Sequence, residues 1–93
     1  MSYYLTDIDG YKGDLATNSG LWALSTFIRN EVDNQECKDF MEFGFTEEMD
    51  EVVKVLSKTH SNDKYIEKTL RELVTTLKKC KFVAVISNGE ELE

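Results

Sequence analysis

The run Leu5-Thr6-Asp7-Ile8-Asp9-Gly10 sets two carboxylates two residues apart at the end of an apolar stretch. Such a pair can hold a cation, and one carboxylate can then attack phosphorus, because the cation offsets the charge on both groups. Asp14 follows closely enough to join Asp7 and Asp9 in a weak cation site. A calcium loop is a poorer match. It needs acids at positions one, three and five, glycine at six and glutamate at twelve. Counted from Asp7, the last three of these fall on Tyr11, Lys12 and Asn18. His60 is the only histidine, in Thr59-His60-Ser61 beside Asp63, and reads as a surface residue rather than a base or ligand. Cys37 and Cys80 have no base near them in sequence and read as wholly or partly buried thiols. There is no Cys-x-x-Cys, His-x-x-x-His or glycine-rich phosphate loop. On these grounds no catalytic residue, metal ligand or cofactor is expected, and the chain does not read as an enzyme.

The same run resembles the opening motif of the haloacid dehalogenase-like phosphatases, a strand ending in Asp-x-Asp-Gly. That resemblance implies Asp7 as nucleophile and Asp9 as general acid, both near magnesium, at the end of a strand in a parallel sheet. Val85-Ile86-Ser87-Asn88 resembles the family's second motif, a strand ending in Ser or Thr. The likeness spans about ten of the 93 residues. Tyr11 stands where the family has Thr, and the family's later lysine and acidic motifs have no counterpart after Asn88. A magnesium-dependent phosphatase-like fragment is therefore kept behind two non-enzymatic readings.

Whatever these residues do, the elements around them must position them. With 41% apolar and 31% charged residues, 93 residues can bury one core, which predicts a single domain over 1–93. Five Phe, four Tyr and one Trp supply the surface for collapse, and the absence of Pro suits uninterrupted helices. No apolar run approaches the roughly 18 residues that span a bilayer, and no basic segment precedes one. A cytoplasmic location is expected, with no membrane contact and no disulfide.

Ser2 to Ile8 reads as a strand turned by Asp9-Gly10, with Gly13 and Asp14 prolonging the loop. Thr17-Asn18-Ser19 offers N-caps for a helix whose stripe is Leu21, Leu24, Ile28 and Val32, widened by Trp22 and Phe27. Trp22 is expected to be a core or interface anchor. From Asp33 to Phe45 the periodicity weakens to a short helix or tight turn ended at Gly44. Thr46 reads as the N-cap of a second main helix, with Glu47 and Glu48 in its first turn and Met49, Val52, Val53 and Leu56 on its apolar face. Ser61-Asn62-Asp63 recaps a third, with Ile66, Leu70, Leu73, Val74 and Leu77 as its stripe and Glu67–Arg71 four apart. The basic residues of this last helix read as ordinary solvated charge. Phe82 to Ile86 is an apolar run closed by Asn88-Gly89, a buried strand. The expected architecture is α+β and helix-dominated: three main helices packed on a small two-stranded sheet formed by the N- and C-terminal strands.

Charge is the most distinctive feature. Of eighteen acids, nine lie between Glu31 and Glu51 with one base, Lys38, so this segment carries −8 of a net −7 and the rest of the chain +1. A concentration of one sign either solubilises or steers a partner of opposite sign. Phe40, Phe43 and Phe45 interleave the acids, and buried aromatics supply the affinity that exposed charge does not. The expected function is a small acidic, non-enzymatic interaction or regulatory protein that binds a basic surface on a protein partner. Phage or mobile-element accessory proteins and nucleic-acid mimics fit that description. The expected contact residues are Glu36, Asp39, Phe40, Glu42, Phe43, Glu47 and Glu48. Direct nucleic-acid binding through this face is disfavoured, since phosphates need Lys and Arg. The alternative is an assembly subunit that self-associates through Trp22, Tyr3, Tyr4 and an open edge of the small sheet.

Overall fold

Asp7 and Gly10 face each other across a two-residue turn, Ile8-Asp9, and Gly10 takes a left-handed φ of 119° that lets the chain reverse there. In the computed structural model, which describes residues 2–88, this turn joins β1 (Ser2–Asp7) to β2 (Gly10–Thr17). β2 corrects the sequence reading, which left Gly10–Thr17 as loop. Its side chains hide it: Leu15 alone is buried, and the register with β1 slips twice, where Lys12 and Leu15 stand as extra residues. Gly13 also has a steric task. A Cβ there would lie 2.9 Å from Thr76 Cγ2, so only glycine lets β2 run this close to the last helix.

Thr17 caps α1 (Asn18–Glu31), its Oγ1 accepting from the Gly20 N–H at 3.2 Å. Leu24, Ile28 and Val32 of the expected stripe are buried. Trp22 is not a core anchor: it is 69% exposed, on the face of α1 turned from the core. A fourth helix, α2 (Gln35–Phe43), occupies the segment of weak periodicity. Asn34 Oδ1 accepts from the Cys37 N–H, and Gly44, at φ 71°, ends the helix in the left-handed conformation that glycine adopts most readily. Next comes β3 (Phe45–Thr46), only two residues long. Thr46 therefore lies in a strand, buried, and is not the N-cap. Glu48 takes that position before α3 (Met49–Ser57), Thr46 Oγ1 accepts from the Glu48 N–H at 3.0 Å, and Asp50 and Glu51 fill the first turn. Asp63 caps α4 (Lys64–Leu77) as expected, accepting from the Tyr65 and Ile66 N–H groups. The final strand, β4 (Ala84–Asn88), begins two residues later than the apolar run, and Phe82 is 60% exposed ahead of it. Gly89, expected to close it, lies outside the described residues.

The terminal strands do pair, antiparallel, with Leu5 opposite Ile86. They form the middle of a four-stranded antiparallel sheet of order β2-β1-β4-β3, not a two-stranded sheet. The fold is α+β, helix-rich, with four helices among the described residues rather than three. Its core joins Leu5, Leu15 and Ala84 of the sheet to Leu24, Ile28, Phe40, Val52, Leu56, Leu70, Leu73 and Leu77 of the helices.

Two polar groups tie chain segments across this frame. Asp7, 6% exposed, accepts from its neighbour Ile8 N–H at 2.6 Å and from three consecutive N–H groups of the α4–β4 connection, Lys81 (2.6 Å), Phe82 (3.2 Å) and Val83 (3.2 Å). Arg71 donates to the carbonyls of Leu56, Ser57 and Thr59, satisfying acceptors that the end of α3 leaves open. Its Nε lies 3.0 Å from Glu67 Oε2. Arg71 is thus a clamp between α3 and α4 and not ordinary solvated charge. Arg71→Met keeps the aliphatic stem and removes these charge-assisted bonds, so chemical denaturation should show a loss of about 2 kcal/mol. Unchanged stability would mean that solvent serves those carbonyls equally well.

Candidate interaction surface

On α2, Glu36, Asp39 and Phe43 recur at i, i+3 and i+7 and share one face. The opposite face, Cys37, Phe40 and Met41, is buried in the core. Gly44 then turns the chain so that β3 runs beside the open face of α2. Glu36, Asp39 and Phe43 form one wall of a groove of about 450 Å³, and Phe45, Thr46, Glu47 and Glu48 form the other. Glu47 and Glu48 also border a second depression of about 240 Å³, whose far side holds Asp50, Lys81 and Phe82. Phe43 is 72% exposed and Phe45 47%. The surface is three exposed phenyl rings set among five carboxylates.

Among the described residues, the ion pairs are Lys12–Asp9 (2.7 Å) and Arg71–Glu67 (3.0 Å), with a His60–Glu67 contact (3.2 Å) that becomes one when the imidazole is protonated. None involves an acid between Glu31 and Glu51. Asp39 instead accepts from Gln35 Nε2 at 2.7 Å. The groove acids therefore stand without direct ion pairs among the described residues, and an excess of negative charge repels itself and attracts cationic groups from solution.

Five of the seven expected contact residues line this groove: Glu36, Asp39, Phe43, Glu47 and Glu48. Glu42 is exposed on α2 but lies outside it. Phe40 is a correction: with no exposed surface it is a core residue and cannot touch a partner. The signal was present, because Cys37, Phe40 and Met41 stand at i, i+3 and i+4, the spacing of an inward stripe. Phe82 was missed because it opens an apolar run that reads as wholly buried. Of the parts expected for self-association, Trp22 is exposed on α1, while the terminal strands lie inside the sheet and its edges are β2 and β3. Tyr4 is buried, the Tyr3 hydroxyl donates to Asn18 Oδ1 at 3.1 Å, and β1 and β4 each have strands on both sides.

Asp7, Asp9 and Asp14 each have a partner within the fold. Both Asp7 oxygens accept backbone N–H groups, Asp9 pairs with Lys12, and Asp14 accepts from the Tyr11 hydroxyl at 2.8 Å. The strand carrying Asp7 lies in an antiparallel sheet, not the parallel one that the phosphatase resemblance implies. No group of three or more His, Cys, Asp or Glu is placed to hold a metal among the described residues. His60 is exposed at the α4 N-terminus beside Glu67. The Ser61 N–H bond, with His60 and Arg71 adding to it against the effect of burial, holds the Glu67 carboxyl below its usual range. Both thiols are free and buried. Burial, with Glu51 and Glu36 nearby, pushes Cys37 up to about 12, and burial first, then Asp7, raises Cys80. Labelling by a disulfide reagent should accordingly run roughly a hundredfold slower in the native protein than in denaturant. Equal rates would place a thiol at the surface.

No helix among the described residues is long and apolar enough to cross a membrane. The chain matches none of the protein-family models, curated proteins or solved structures with which it was compared.

Proposed function

We propose that this protein is a non-enzymatic interaction module that docks on a basic surface of a protein partner through the α2–β3 groove. One observation carries the reading: exposed Phe43 and Phe45 share a single groove with four carboxylates that form no ion pair among the described residues. Exposed charge of one sign speeds encounter and selects partners, and desolvated aromatic rings then hold the complex. The same arrangement is costly to the free protein, since unpaired like charges repel and exposed rings gain nothing from water.

That cost supplies the test. Wild-type protein and a variant with Glu36, Asp39, Glu47 and Glu48 all changed to Gln or Asn are immobilised in parallel, and what only the former retains is purified and titrated against both. Partner affinity should fall by roughly tenfold or more between low and physiological salt, and further in the variant. The variant's own thermal midpoint should meanwhile rise by a few degrees as repulsion is relieved. Affinity indifferent to salt and to the four changes would remove the reading.

A further inference from the structure

The groove borders a backbone edge, not just a face of the sheet. Phe45 and Thr46 are consecutive in a strand, so their side chains point to opposite faces, yet both line it. Among the described residues β3 is the last strand of the sheet, paired with β4 on one side. The register fixes which groups are free. Phe45 lies opposite Val85 and Thr46 opposite Ala84, while the Ile86 N–H donates to the Gly44 carbonyl at 2.8 Å. In an antiparallel ladder, hydrogen-bonded and non-hydrogen-bonded pairs alternate. Gly44 and Thr46 therefore bond to β4, and the Phe45 N–H and C=O point the other way, off the edge of the sheet.

We infer that the α2–β3 groove takes an extended, lysine- or arginine-bearing segment of the partner as a fifth strand, paired through the backbone of Phe45. This deepens the proposed function and rests on it. Strand addition uses main-chain bonds for affinity and alternate side chains for specificity. Here one side of the added segment would meet Phe43 and Phe45, and its cationic side chains would meet Glu36, Asp39, Glu47 and Glu48. A helical partner has no free backbone groups to offer Phe45. A second copy of this chain would bring its own acids against these, since Glu47 and Glu48 directly follow the strand. The open backbone of Phe45 thus selects an extended occupant over a helical one, and charge complementarity selects a basic one over a second copy.

The probe is a set of fluorescein-labelled eight-residue peptides alternating Lys or Arg with Val, Ile or Leu, read by anisotropy against the intact protein. Each binding peptide is remade with N-methyl groups on alternate amides, first on one edge and then on the other. Methylation of one edge should cost at least tenfold in affinity and of the other edge little, and the Phe45 amide should gain protection from hydrogen exchange on binding. Peptides that bind with strong salt dependence, but equally well with either edge methylated, would overturn strand addition and leave the charged docking surface standing. Peptides that bind with no response to salt or to the Gln/Asn variant, or do not bind at all, would overturn both.

Discussion

Phe40→Ala is expected to lower the unfolding free energy by about 3–5 kcal/mol, because it removes a wholly buried ring and leaves a cavity that α2 cannot close. Against a total of roughly 5–15 kcal/mol for a domain of this kind, that is enough to leave a large unfolded fraction at 37 °C. Phe43→Ala, three residues on, should stay within about 0.5 kcal/mol of wild type, since that ring is 72% exposed. The partner should discriminate in the opposite sense: Phe43→Ala weakens binding without loss of fold, while any binding loss in Phe40→Ala follows its unfolded fraction. Urea titrations of the two variants, run with circular dichroism, separate the roles. A stable Phe40→Ala protein would mean that α2 is not seated as described.

The second large effect belongs to Asp7. Burial works to raise its carboxyl, but backbone hydrogen bonds from Lys81, Ile8, Phe82 and Val83 outweigh it and lower the carboxyl from 3.8 to about 2. A carboxyl that titrates lower in the folded state favours folding wherever it is ionised. Its contribution is complete above about pH 5 and is lost as the pH falls through 4 toward 2. Glu67, lowered in the same direction, adds to this acid limb. Asp7→Asn turns an acceptor-only group into one that presents an NH₂ to a cluster of N–H donors. Its thermal midpoint at pH 7 should fall on the order of ten degrees. The gap to wild type should then narrow steadily as both proteins are titrated to pH 2. A gap independent of pH would show that Asp7 acts by shape and not by charge.

Legibility in the sequence followed the range of the physics involved. The α1 and α4 stripes, the Asp63 cap and the Gly44 stop depend on neighbours three or four residues away, and each could be read directly. The pairing of the terminal strands followed from a wider need, since neither could stand alone. β2 could not be read, because Gly13 is there for Thr76, sixty-three residues distant, and the two register slips break the alternation that marks a strand. Asp7 looked catalytic for a similar reason. Its type and spacing are visible, but the amides that occupy it belong to residues more than seventy positions away. The acidic segment was plain from composition alone. Which of Phe40 and Phe43 faces outward is set by the phase of α2, legible only in the short inward stripe of Cys37, Phe40 and Met41.

The two register slips in β2 bear on how large a complex can grow. Stacking strands without limit requires a sheet that is receptive on both flanks. This one is irregular along its β2 flank, where Lys12 and Leu15 break the ladder, and offers only two residues on the other. A segment added at β3, as proposed, would therefore pair along a very short edge, and the expected complex is one-to-one, which sedimentation would check.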